Sequence, residues 1–211
     1  CAEGWEADPP ESRWELVEAI FRGLCEALAY LHNKGIIHRD IKPSNVRVTS
    51  DGRAKLMDFG VVKAPDVFST ALTVAGRLVG TIAFMAPEQI TGEPVDTRAD
   101  LYSLGAVLYI LLTGRRPIVA DSIAAYLAQQ ISQEPRRPGL VDPEVPAYLD
   151  RIAVRLLRKS PDERFQSAIE VAYRDLTGEA PPVEVSEGLR RIVGGGTAEG
   201  TGRANGHGTG R

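Results

Sequence analysis

Apolar residues recur at Leu16, Ile20, Leu24, Leu28 and Leu31, close to helical spacing, after a polar, proline-containing lead from Ala2 to Pro10. Gly35 follows as a stop, so the pattern predicts one amphipathic helix from about Ser12 to Asn33. From Ile36 to Gly60 the period changes. Short β-branched runs (Ile36-Ile37, Val46-Arg47-Val48, Ala54 to Met57) alternate with polar breaks, and Ser50-Asp51-Gly52 is a hairpin turn signal, so short strands are expected. Val61 to Gly80 shows no sustained period and reads as a long loop, a length that in compact domains is usually functional or mobile. Helical periodicity returns over Thr97 to Thr113, stopped by Gly114, then over Asp121 to Gln133, Tyr148 to Lys159, and about Ser167 to Leu176 before Gly178.

Beyond Pro181-Pro182 the chain turns glycine-rich and polar, with too little apolar surface to offset chain entropy. Three segments follow: a polar lead over 1–11, a globular unit over 12–178, and a disordered tail or linker over 179–211. The fold class expected is α+β, mainly helical, with short hairpins.

Composition sharpens this only at the margins. The chain has 211 residues, 43% of them hydrophobic and 25% charged, which fits an ordinary globular protein with one substantial core. A net charge of −3 with scattered basic residues gives no footprint for nucleic acid or anionic lipid. Cys25 falls within the first helical pattern and reads as a small buried thiol, in keeping with a reducing, cytoplasmic setting. The longest apolar run, Leu104 to Leu112, is well short of the roughly 20 residues of a membrane-spanning helix and predicts a buried core helix. No signal peptide is apparent, and Cys rather than Met at position 1 suggests that the natural start lies elsewhere.

The candidate chemistry lies in three blocks: His38-Arg39-Asp40-Ile41-Lys42-Pro43-Ser44-Asn45, then Asp58-Phe59-Gly60, then Ala86-Pro87-Glu88. Each is short, but in this order, with the first matching H-R-D-x-x-x-x-N in full, chance is a poor explanation. From about Ser12 to Leu176 the sequence resembles the eukaryotic-type (Hanks-type) Ser/Thr protein kinases, in a bacterial style, and specifically their C-terminal lobe. The resemblance implies a protein-kinase-like fold and transfer of the ATP γ-phosphate to Ser or Thr hydroxyls of protein substrates.

Such transfer needs an acid to orient the hydroxyl and metal to neutralise phosphate charge. By resemblance, Asp40 is the catalytic base and Lys42 contacts the transferred phosphate, while Asn45 and Asp58 supply hard oxygen ligands to Mg2+. The alternative, that these four are solvated turn residues, is the less economical one. Lys42 in Asp-Ile-Lys-Pro and Gly80-Thr81 ahead of Ala86-Pro87-Glu88 both resemble Ser/Thr rather than Tyr kinases. Arg39 is implied to face the activation segment, where phosphorylated Thr70 or Thr73, with Ser69 nearby, would pair with its guanidinium, self-phosphorylation being one route; the alternative is that these are small polar loop residues. His38, Asp100, Glu88 and Arg164 are implied scaffold residues, Asp100 tethering the catalytic loop and Glu88 pairing with Arg164.

The pattern departs from the family in two places. Only 37 residues precede His38, with no Gly-rich loop and no V-A-I-K-like strand among them, so the expectation is a C-lobe whose N-lobe is absent from this chain and whose isolated activity is low. Residues 1–11 would then come from the inter-lobe region. Arg47 occupies the position where an apolar side chain usually floors the adenine site; strand alternation turns it toward the cleft, with Val46 and Val48 opposite. A kinase fragment is the first reading. The second is a stand-alone, non-catalytic C-lobe that binds a protein partner. A pseudokinase would be expected to have lost one of Asp40, Lys42, Asn45 or Asp58, and all four are present. A membrane anchor outside this chain is compatible with either.

Overall fold

The computed structural model describes residues 12–49, 52–58, 82–172 and 176. The glycine-rich tail, the segment 59–81 and the polar lead fall outside these residues.

Helix α1 spans Arg13–Asn33 and starts at a reciprocal cap: Ser12 Oγ accepts from Glu15 N, and Glu15 Oε2 accepts from Ser12 N, both at 3.2 Å. Its buried face is Val17, Ile20, Phe21, Leu24, Cys25, Leu28 and Leu31. Leu16, counted with that face from its spacing, is instead 38% exposed, because Val17 and Phe21 complete the stripe one residue further round. Gly35, at φ 72°, supplies the left-handed residue that turns the chain after α1.

Ile36-Ile37 does not form a strand. Ile36 N donates back to Leu31 O, and the next amides, of His38 and Arg39, are taken by a carboxylate instead of a neighbouring strand. The predicted hairpin does form: β1 (Val46–Val48) pairs antiparallel with β2 (Ala54–Leu56), in the register Val46 to Leu56, Arg47 to Lys55 and Val48 to Ala54. It is anchored on α1, where Gly23 leaves room for Ala54. Val46 packs on the core, but Val48 is 48% exposed, so the expected burial alternation holds at only one valine.

Past the segment 59–81 come α2 (Pro87–Thr91) and α3 (Thr97–Thr113), the latter capped by Asp96, whose side chain accepts from Arg98 N, and ended at Gly114, φ 68°. Helix α3 is the expected buried core helix. Ala99 to Tyr109 are all buried, so nearly every face of it meets protein. Helices α4 (Ile123–Ser132), α5 (Pro138–Val141), α6 (Ala147–Leu156) and α7 (Ala168–Glu170) complete the order. α1, α5 and α6 pack around α3, α7 packs on α1, and α2 packs on α4. α3 and α6 approach closely at Gly105, where an added Cβ would stand 2.6 Å from Leu156 Cβ. Helix α6 stops at Leu156, short of the predicted Lys159, since Leu157 to Lys159 turn back toward α3. Among the described residues no helix is long and apolar enough to cross a membrane.

Candidate active site

The chain leaving α1 is fastened to α3 by one carboxylate. Asp100, fully buried in the first turn of α3, accepts from His38 N (2.8 Å) and His32 Nε2 (2.8 Å) through Oδ2, and from Arg39 N (2.8 Å) through Oδ1. Three donors, together with the positive end of the α3 dipole, offset the desolvation of that charge. His38 is itself fully buried. Its Nδ1 accepts from Asp40 N (3.3 Å), which leaves the proton on Nε2 to donate to Met57 O (3.2 Å). The imidazole thus ties the loop to the end of β2.

Among the described residues two non-glycine residues have left-handed backbones, Arg39 at φ 64° and Asp58 at φ 52°, and in sequence they flank the polar cluster. Such a conformation costs about 1–2 kcal/mol per residue and persists only where neighbours enforce it. At Arg39 the enforcement is visible: Asp100 holds its N–H, and Gln89 Nε2 donates to its carbonyl at 3.3 Å.

Within the cluster, Asp40 Oδ2 receives Lys42 Nζ (2.8 Å) and Asn45 Nδ2 (3.0 Å), and Asn45 Nδ2 also reaches Asp40 O (2.8 Å). Asp40 Oδ1 makes no hydrogen bond among the described residues, and the Asp40 side chain is 33% exposed. A single turn of 3-10 helix, Pro43–Asn45, sets this spacing, with Pro43 pre-setting its first φ. Asn45 is buried, and its carbonyl accepts from Met57 N (2.8 Å), extending the hairpin by one step and bringing Asp58 to the Asn45 end. Asn45 and exposed Asp58 are hard oxygen donors, two of the kind a magnesium ion takes while keeping water and phosphate oxygens in its remaining positions. The donor set fits Mg2+. Among the described residues no cluster of three or more His, Cys, Asp and Glu side chains offers a separate metal site.

Arg47 is exposed on β1 and lies directly across the ladder from Lys55, so two cations share that face of the hairpin. Lys55 carried no signal in the sequence reading, because only strand register makes it a neighbour of Arg47.

A second, buried pair stands below. Arg164, fully buried, meets Glu88 through two parallel hydrogen bonds (2.6 and 2.8 Å) and gives its remaining donors to the carbonyls of Arg158 (2.8 Å), Lys159 (2.8 Å) and Arg98 (3.0 Å). All five guanidinium donors are used. Its Cζ also lies 5.0 Å over the Tyr102 ring, and Lys159 Nζ lies 5.3 Å over the same ring while donating to Tyr102 Oη (3.0 Å) and Gln130 O (2.9 Å). Burial pushes the Lys159 ammonium down to about 8, against a smaller upward pull from Glu134. Burial pushes the Cys25 thiol up, in keeping with an inert core residue.

The structure therefore brings His38, Arg39, Asp40, Lys42, Asn45 and Asp100 together, sets Asp58 one residue past Met57, whose N–H bonds to the Asn45 carbonyl, and pairs Glu88 with Arg164. Thr70, Thr73 and Thr81, with Ser69, lie outside the described residues, as do Phe59 and Gly60. Sequence reasoning missed His32, Gln89, Ser103, Gln130 and Lys159. Only Gln89 had a signal, standing next to the Ala86-Pro87-Glu88 block; the others are polar residues inside or just beyond helical patterns.

The sequence profile of the protein kinase domain matches residues 11–174, well over half of the chain. The chain belongs to the protein kinase domain family. Among curated relatives of this kinase domain, a probable serine/threonine-protein kinase of Streptomyces coelicolor is 46% identical over 149 residues, 71% of this chain and 22% of that protein. The serine/threonine-protein kinase PknB of Mycolicibacterium smegmatis is 39% identical over 165 residues, 77% of this chain and 26% of its own length. A probable PknB of Bifidobacterium longum is 41% identical over 160 residues, 76% of this chain and 23% of its own. The chain thus spans about a quarter of the length of the curated relatives it matches.

Proposed function

We propose that this chain is the lower, helical lobe of a bacterial protein serine/threonine kinase, with the Gly-rich loop and strand lysine contributed by an N-lobe outside it. The observation that carries this is the state of Asp40: in a side chain that is 33% exposed, one carboxylate oxygen is held by Lys42 and Asn45, and the other makes no hydrogen bond among the described residues. That is the arrangement a base needs to orient an incoming hydroxyl. Asp40 accepts the hydroxyl proton of a Ser or Thr side chain of a protein substrate as its oxygen bonds to the γ-phosphorus of ATP; the bond from phosphorus to the bridging β-γ oxygen breaks, and ADP leaves. Lys42, here paired to Asp40 at 2.8 Å, would turn its ammonium to the transferred phosphate. Asn45 and Asp58 would hold Mg2+, which supplies charge neutralisation on the phosphates. Arg47 packs its stem under the adenine with its guanidinium to solvent. His38, Asp100, Glu88 and Arg164 hold the loop and lobe in place.

Regulation belongs to the same proposal. Arg39 projects from the residue before Asp40 and is exposed, suited to a phosphorylated Thr70 or Thr73 after self-phosphorylation. Thr81 would set acceptor choice through its hydroxyl. Cytoplasmic action fits this reading, with any membrane anchor elsewhere in the protein, and nucleic acid is not among the expected partners.

The test is transfer of labelled phosphate from ATP and Mg2+ to a generic basic protein by the full-length gene product, by its Asp40→Asn variant and by this chain alone. Transfer to Ser or Thr by the wild-type full-length protein only is expected. Equal transfer by wild type and Asp40→Asn overturns the role of Asp40; an inert full-length protein that still captures a protein partner favours the non-catalytic module.

A further inference from the structure

The segment Ile82–Ala86, between the 59–81 stretch and α2, lies against the catalytic loop: Gln89 Oε1 accepts from Ala86 N (2.9 Å) while Gln89 Nε2 donates to the Arg39 carbonyl, next to Asp40. The shelf thus stands beside the residue that precedes Asp40, where it borders the approach of a peptide that offers a hydroxyl to that carboxylate. Within the shelf Ile82 O accepts from Met85 N (3.1 Å) and Ala86 O from Gln89 N (3.0 Å), whereas the carbonyls of Phe84 and Met85 between them are taken by side chains from below. Ser103 of α3 donates to Phe84 O at 2.6 Å, and Gln130 of α4 donates from Nε2 to Met85 O at 2.8 Å.

Gln130 is 1% exposed, far from ordinary for a glutamine on a short helix. Among the described residues its Oε1 has no hydrogen-bond partner. An amide buried with its acceptor unmet is unfavourable for folding, which directs attention to what its donor does. Its orientation is also fixed, because a flip would set Oε1 against the Met85 carbonyl. Its main chain is held in turn, since the Gln130 carbonyl accepts from Lys159 Nζ, which also donates to Tyr102 Oη.

From this we infer that Gln130 is a positioning residue for the acceptor peptide, setting the height of the Ile82–Ala86 shelf relative to Asp40 through its bond to the Met85 carbonyl. The inference rests on the kinase reading for the peptide's identity, though not for the tether itself. Gln130 touches neither nucleotide nor reacting atoms, so its effect falls on the peptide and not on ATP.

The deciding variant is Gln130→Met, nearly isosteric and unable to donate, compared with wild type in the full-length protein. It removes one hydrogen bond and also the unpaired buried acceptor, so Tm is expected to stay within a few degrees. KM for a Ser/Thr peptide should rise about three- to tenfold, the range of one net hydrogen bond, with KM for ATP within twofold. Lys159→Met, one bond further out, should move peptide KM in the same direction by less. Amide exchange at residues 82–86, which needs no activity, should quicken in Gln130→Met. Unchanged exchange there overturns the inference whether or not the protein transfers phosphate. An active enzyme with unchanged peptide KM, or with peptide and ATP KM raised together, overturns it as well. If exchange quickens but wild type transfers no phosphate, the tether stands and the kinase reading falls.

Discussion

Two carboxylate–cation pairs with almost the same separation sit at opposite ends of the environment this fold offers. Asp40 and Lys42 meet at 2.8 Å with side chains 33% and 23% exposed; Glu88 and Arg164 meet at 2.6 Å with side chains 3% and 0% exposed. Distance alone does not rank them. A wet pair is worth about 0–1 kcal/mol and can part, which a base and a phosphate-following lysine require. A dry pair is valuable to the fold only because every remaining donor of Arg164 is satisfied; with one partner gone, the other is a buried charge without compensation. The strained backbones of Arg39 and Asp58 fall beside the wet pair, and the full set of hydrogen bonds falls around the dry one. The molecule keeps its exchangeable contacts at one edge and its permanent ones in the helical layer.

Asp40→Asn probes the wet side most sharply. An amide there retains an acceptor for Asn45 but loses the charge that takes the proton. In the full-length protein, phosphate transfer should fall by about a hundred- to ten-thousandfold, while urea unfolding shifts by no more than about 1 kcal/mol. A large loss of stability in Asp40→Asn would erase the contrast. On the dry side, Arg164→Met should cost about 3–5 kcal/mol, because it leaves the Glu88 carboxylate and three carbonyls without their donor. Glu88→Gln combined with Arg164→Met should recover part of that loss, and unfolding free energies of the two singles and the double measure the coupling. Gly105→Ala tests the same layer through packing: its Cβ would fall 2.6 Å from Leu156 Cβ and 3.3 Å from Leu156 main chain, which cannot yield like the tip of a side chain. A loss of about 1–3 kcal/mol in thermal unfolding is expected, with α3 and α6 forced apart.

The same contrast explains what the sequence made legible. Asp40, Asn45 and Asp58 stand in fixed spacings because a single 3-10 turn and a two-stranded hairpin set them, and local structure of that kind writes itself into short motifs. Helices α1 and α3 were readable from period, the burial of Cys25 followed from it, and the apolar run of α3 is buried at Leu104 to Tyr109 and Leu112, with Ile110 and Leu111 only partly so. Asp100 and Arg164 came only through family resemblance, for nothing in their neighbours in sequence reveals that one holds two backbone amides and the other five acceptors. Gln130, Lys159 and Ser103 were not readable at all, since their partners lie 19 to 57 residues away and a polar side chain on a helix looks the same whether it faces water or a carbonyl. Ile36-Ile37 failed in the other direction: its composition favours a strand, but the Asp100 carboxylate claims the amides that follow.

Lys159 lies on the border between the two regions, with one donor on Tyr102 and one on the Gln130 carbonyl, and its titration reports which side it belongs to. Burial sets its folded value at about 8, below the 10.5 of an unfolded lysine, so between those values the unfolded chain binds more protons and stability rises with pH. Below about pH 8 both states are protonated and the penalty on the fold is constant and largest. Burial pushes the Tyr102 hydroxyl, which accepts from Lys159, up and out of this window in the folded protein, and groups distant from Lys159 that titrate within it are common to wild type and Lys159→Met and cancel in the difference. Urea unfolding of wild type and Lys159→Met at pH 7, 8, 9 and 10 should therefore show a flat difference up to about pH 8 and then a shift in favour of wild type. This is the smallest of the expected effects, because the side chain is only partly buried and water screens it. A difference that stays flat to pH 10 would place Lys159 with Asp40 and Lys42 among the solvated charges, and the dry layer would then end at Arg164.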